Sequence, residues 1–219
     1  MRALPGILFR CLFAFVAASV FHVDAAAQRV DESMCGPLKA QGQFGPFDYR
    51  TAPTEVVSMV EGVHFTRDVE LLRHGATASI GGDLDYTLRA LPNNYRALAS
   101  LTRLYFRDRQ PKVSGMRWMV ECYFERAIRF VPDDPMVRQA YGFYLVKLGR
   151  KKEAKVQVDA ASDLAGDGAN LNYNLGLLYF DLGEYQKSLD HAWAAYRRGY
   201  ELQGLKNKLK AAGKWSDPP

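Results

Sequence analysis

The strongest constraint on this chain is a spacing of 34 residues. Gly142 and Gly176 are separated by it, as are Gly149 and Gly183, Ala154 and Ser188, and Ala161 and Ala195. Small residues recurring at one interval of this size mark an array of helical hairpins, because two antiparallel helices pack closely only where neither backbone carries a large side chain. The apolar residues agree. Leu175, Leu178, Tyr179 and Leu182 follow i, i+3, i+4, i+7, and Tyr141, Tyr144, Leu145 and Leu148 repeat that stripe one period earlier. Gly149 and Gly183 then stop their helices. Composition is compatible with such an array: 48% of the 219 residues are hydrophobic and 12% aromatic, which excludes a flexible or collagen-like chain.

The best copy runs from Ala169 to Leu189 and continues through Ala192 and Ala195. With Leu175-Gly176, Tyr179, Gly183, Tyr185, Ser188 and Ala195 it resembles the tetratricopeptide repeat. The copy from Pro135 to Gly168 matches through Tyr141-Gly142, Leu145, Gly149, Ala154 and Ala161, and lacks the usual aromatic near Lys151. A degenerate third copy pairs a helix around Asn93 to Arg107 with one around Gly115 to Phe130, across a connection longer than the usual turn. The resemblance implies an all-α fold, a short solenoid of helical hairpins with repeats over 92–134, 135–168 and 169–199. Gly142, Ala154, Ala161, Gly176, Ser188 and Ala195 are its expected packing residues. In this family the first helix of each pair lines the concave face, which places Gln139, Phe143 and Val146 with Asn170, Tyr173, Leu177 and Phe180 on a surface for a peptide or partner helix. The family's carboxylate clamp is disfavoured, since Asn174 holds one clamp position but Ala140 holds its counterpart.

Residues 28–91 fall outside the period and are expected to form an irregular and helical block capping the solenoid. Phe44-Gly45-Pro46-Phe47-Asp48-Tyr49 combines turn formers with rings and reads as an extended segment pinned by ring burial. Thr66 is placed as the N-cap of a helix from Arg67 to His74 that ends before Gly75. Ile80-Gly81-Gly82 reads as a turn, with Asp83 capping a short helix through Leu91 and Pro92 marking a boundary. Together with Val-His-Phe-Thr and Pro-Asn-Asn, these segments resemble exported proteobacterial proteins that end in such repeats. At the other end, 200–212 reads as a capping helix with Leu202, Leu205 and Leu209 on one side and Lys206, Lys208 and Lys210 on the other. The 213–219 tail is expected to be loose.

Residues 1–27 combine Arg2 and Arg10, an apolar stretch from Cys11 to Phe21 and the Ala25-Ala26-Ala27 run, the layout of a secretory signal peptide. The apolar stretch is shorter than the roughly 20 residues that span a bilayer. A periplasmic or secreted location is therefore expected, with no transmembrane span after cleavage. Cleavage after Ala27 lowers the formal charge from +5 to +4 and discards Cys11. Cys35 and Cys122 are then the remaining pair in a compartment where disulfides persist. They are expected to bond, the alternative being two independent buried thiols.

Chemistry is hard to find. No Walker loop, Rossmann glycine pattern or G-x-S-x-G is present, and His64 and His74 lack metal-ligand spacing. Asp83 has its expected cap role, and Asp85 is four residues from Arg89, an ion-pair spacing. No enzyme activity, cofactor, metal or nucleic acid is expected. The leading expectation is a periplasmic scaffold that binds a protein or peptide in its groove. The alternatives are a binder of anionic polysaccharide or lipid through the Lys-rich end, and a small envelope enzyme using the region of His64 and Asp83.

Overall fold

The computed structural model describes residues 32–110 and 112–218, so the proposed signal peptide and its cleavage point lie outside the described residues. The described chain is all-α. The first five helices are α1 (Glu32–Cys35), α2 (Thr54–His64), α3 (Arg67–Glu70), α4 (Ile80–Ala90) and α5 (Tyr95–Asp108). They are followed by α6 (Val120–Phe130), α7 (Pro135–Lys147), α8 (Lys151–Leu164), α9 (Ala169–Leu182), α10 (Tyr185–Arg197) and α11 (Gly204–Ala211).

The 34-residue period is visible in the geometry of two hairpins, α7 with α8 and α9 with α10. A Cβ added to Gly142 would stand 3.7 Å from the Ala154 carbonyl oxygen, and one on Gly176 would stand 3.2 Å from that of Ser188. The same two positions therefore meet in both hairpins. Their helix ends match as well: Gly149 and Gly183 take φ of 76° and 86°, and the next amides, of Arg150 and Glu184, reach back to the carbonyls of Leu145 (3.0 Å) and Tyr179 (2.9 Å). This bond pattern satisfies carbonyls that the last turn leaves open, and glycine enters the left-handed region without a Cβ penalty. Ala154, Ala161, Ser188 and Ala195 are all fully buried. The Ser188 hydroxyl donates to the Gly176 carbonyl at 2.7 Å, so its burial leaves no unmet donor. The α9 helix also packs on both α7 and α8, so the second hairpin stacks on the first.

The N-terminal half differs in several places from the sequence expectation. Helix α2 lies in the stretch read as irregular; its one fully buried residue is Val60, so its apolar stripe is short. The expected helix from Arg67 to His74 is a single turn, ended by Leu72 at φ 58°, and Thr66 makes no side-chain cap bond. Ile80-Gly81-Gly82 is the first turn of α4 rather than a loop. Its cap is Ser79, whose hydroxyl accepts from the Gly82 amide at 3.2 Å, which leaves Asp83 free for another task. Gly81 is required there because a Cβ would fall 2.0 Å from the Ser114 carbonyl oxygen in the long connection between α5 and α6. That connection folds back on the start of α4, and α6 consequently begins at Val120 rather than near Gly115.

Two devices hold the chain start on α6. Cys35 and Cys122 form a disulfide. One turn further along, the buried Arg126 guanidinium donates to the carbonyls of Cys35 (3.0 Å), Pro37 (2.6 Å) and Leu38 (3.2 Å) and lies 4.0 Å above the Trp118 ring. Burial lowers its pKa to about 10, so it is still a cation at neutral pH. The segment 37–53 has no regular structure, and buried Asn93 anchors it: its amide nitrogen donates to Asp48 (2.7 Å) and Asp134 (2.9 Å) while its oxygen accepts from the Tyr49 amide (2.8 Å). Asn94 and Asp134 cap α5 and α7 through the amides of Ala97 and Met136.

Candidate functional site

The seven residues expected to form one partner surface do not share one environment. On α7, Phe143 is 40% exposed, with the Lys147 ammonium 5.7 Å from its ring centre, and Gln139 is half-buried beside it. Val146 is half-buried between the core that holds Leu98, Phe124 and Leu145 and the cluster of Val158, Leu171 and Leu175 where α8 meets α9. On α9, Asn170 is exposed and accepts from the Asn174 amide at 3.1 Å. Tyr173 is instead only 7% exposed, because Tyr200 stacks on it at 4.2 Å. Leu177 and Phe180 are half-buried against the cluster of Leu189, Leu205 and Leu209. The surface is thus open on α7 and at the start of α9 and is closed further along α9 by the chain's own C-terminal part. The N-terminal block does not provide this cover; α1, α2 and α3 pack on α6, α4 and α5.

His64 and Asp83 do come together. The His64 ring nitrogen Nδ1 lies 3.1 Å from Asp83 Oδ1 and 3.0 Å from the Thr77 hydroxyl, and the ring stacks on Tyr86 at 3.8 Å. Asp83 is fully buried and also accepts the Thr77 hydroxyl (2.6 Å) and the amides of Ala76 (2.7 Å) and Thr77 (3.2 Å). Burial pushes its carboxyl up, but the bonds from Thr77, His64 and these amides outweigh that and hold it below the ordinary carboxylate range. With so many donors the carboxylate's evident task is to fold the 75–79 loop. An apolar cleft of about 330 Å³ borders His64, lined by Phe44, Met59, Val60, Val63 and Tyr86. Among the described residues no group of three or more His, Cys, Asp or Glu side chains could hold a metal ion. Asp85 pairs with Arg89 at 2.8 Å and accepts the buried Tyr123 hydroxyl.

Of the three lysines expected to line the last helix, Lys210 is exposed, whereas Lys206 and Lys208 lie against neighbouring groups, as does Lys214 of the tail. Lys208 pairs with Asp181 at 3.0 Å and lies over Phe180, Lys206 lies 4.9 Å over Trp215, and Lys214 lies 5.5 Å over Tyr185. Helix α11 spans less than the expected 200–212, and the tail after it is docked: Trp215 meets Tyr196 edge to face at 6.1 Å, and the Trp193 indole N–H donates to the Ser216 carbonyl at 2.9 Å. Between tail and α10 lies a cavity of about 320 Å³ walled by Trp193, Tyr196, Tyr200 and Trp215, with Arg197 and Lys206 on its rim. Sequence reasoning missed this pocket, although Trp193, Tyr196 and Arg197 are spaced i, i+3, i+4 and so share a face of α10, with Tyr200 just past its end. No helix among the described residues is long and apolar enough to cross a membrane. Comparison with protein families, with curated proteins and with solved structures finds no match to this chain.

Proposed function

We propose that this chain is an exported adaptor of the tetratricopeptide-repeat type that docks an extended peptide or a partner helix on the α7 face around Phe143. The observation that carries the reading is the contrast between equivalent positions one period apart. Phe143 stands 40% open on α7, whereas Leu177, 34 residues later, is half-buried against the cluster that holds Leu205 and Leu209. An aromatic ring beside a half-buried amide and a cation suits a ligand that offers both apolar and polar groups. The Cys35–Cys122 disulfide supports an oxidising compartment, as does the signal-like start of the sequence.

The test is site-specific photocrosslinking in cells that export the chain, with the crosslinker at position 143 and, as background, at Val156, which is 57% exposed on α8. A discrete adduct is expected from 143 that is absent at 156 and is lost when Gln139→Ala and Lys147→Ala are added. Identical adduct patterns from 143 and 156 would overturn the reading.

A further inference from the structure

We infer that the C-terminal aromatic pocket is a binding site for a carboxylated sugar, either a free uronic acid or the acidic residue of a polysaccharide. The site is separate from the α7 face, so it stands or falls independently of the adaptor reading. Its walls are preorganised. The Tyr196 hydroxyl is held by the Lys206 amide and the Leu202 carbonyl, both at 3.1 Å, and the Trp215 indole N–H is held by Asp217 at 3.2 Å. Tyr200 is fixed from behind by its stack on Tyr173.

The shape suits a single ring-sized ligand. The planes of Tyr196 and Trp215 meet at 68° with centroids 6.1 Å apart, which makes a corner rather than a parallel-walled slot. A pyranose ring fits a corner, because its C–H face can lie on one ring while its edge meets the other. A volume of about 320 Å³ lies at the small end of ligand pockets and admits one such ring.

Charge decides the class of sugar. Arg197 and Lys206 line the cavity, Lys206 with its ammonium over the Trp215 ring, and among the described residues neither has an ion-pair partner; the one carboxylate among the described lining residues, Asp217, already accepts from Trp215. The described lining residues therefore carry a net positive charge, which favours an anionic ligand over a neutral or cationic one. The guanidinium of Arg197 supplies paired donors matched to a carboxylate.

Calorimetric titration of the full chain with galacturonate, galactose, benzoate and inorganic phosphate tests this. Galacturonate is expected to bind about tenfold more tightly than galactose, as one charge-assisted hydrogen bond provides. Trp215→Ala is expected to weaken galacturonate about tenfold, and Arg197→Gln to erase its advantage over galactose. Lys206→Gln, which removes a cation but leaves the Trp215 ring in place, gives a second route to the same loss of discrimination if the tail variant melts early. Tighter binding of tetragalacturonate than of the monomer would identify a polymer as the source, and equal binding a free sugar; both carry the proposal. It is overturned if galacturonate gives no heat up to about 20 mM, well above the millimolar Kd of a weak site. It is equally overturned if Trp215→Ala binds unchanged, or if benzoate or phosphate binds the native chain more tightly than galacturonate.

Discussion

At the scale of single residues, the fold depends on a few positions where side-chain volume or hydrogen bonding admits no substitute. Gly81 is one: with a Cβ placed 2.0 Å from a backbone oxygen, the long connection cannot rest on α4, and no flexible side chain is available to yield. Gly81→Ala should lower stability by about 2 kcal/mol, the scale of an overpacked core, and urea denaturation followed by helical circular dichroism would read it. Arg126 is the opposite case, a large cation placed where carbonyls converge. Arg126→Leu keeps apolar bulk but leaves the carbonyls of Cys35 and Pro37 without their donor, while Gly36 keeps Arg129 and Leu38 keeps Gln43, and a loss of about 3 kcal/mol is expected in the same assay. Arg126→Lys should recover little, since one ammonium cannot reproduce the planar fork that spans them.

At the scale of elements, α6 joins the two halves of the molecule. Its Cys122 and Arg126 hold the chain start, Tyr123 reaches Asp85 in α4, and Phe124 stacks on Tyr141 of α7 at 4.8 Å. The disulfide links positions 87 apart, so in the chain-entropy account its loss costs up to about 4.6 kcal/mol. Cys35→Ser with Cys122→Ser should therefore lower the urea midpoint markedly while leaving the hairpins of α7 to α10 helical. A variant with an unchanged midpoint would show that Arg126 alone secures the segment. The second hairpin has its own link to the first: His191 bridges Ser162 at 2.9 Å and Asn172 at 2.8 Å and stacks on Tyr179.

At the scale of the whole molecule, stability should decline in two stages on acidification. Burial lowers the His191 pKa, so the unfolded chain binds a proton that the folded chain refuses; stability is full above the ordinary histidine range and is lost as pH falls below it. The second stage belongs to carboxylates. The Arg50 guanidinium holds Asp48 at about 2, and Asp159 sits at about 2 because Lys155, Lys187 and Tyr179 outweigh its burial. Their contribution is intact above pH 4 and disappears between there and about pH 2. Urea midpoints measured across this range should show both declines, and His191→Gln should remove the first alone. The all-helical class, the two hairpins and their small-residue contacts were readable because each depends on spacing along the chain: a 34-residue interval and a 3.6-residue stripe. Helix α2 and the cap at Ser79 were harder, since one buried valine and one serine give weak local signals. The sequence groups His64 with Asp83 without giving their contact at 3.1 Å, and the burial of Tyr173 and the corner formed by Tyr196 and Trp215 were not readable at all. Linear order determined which residues share a helix face; only the tertiary structure decided which of those faces the chain itself would cover, because that depends on where remote segments dock.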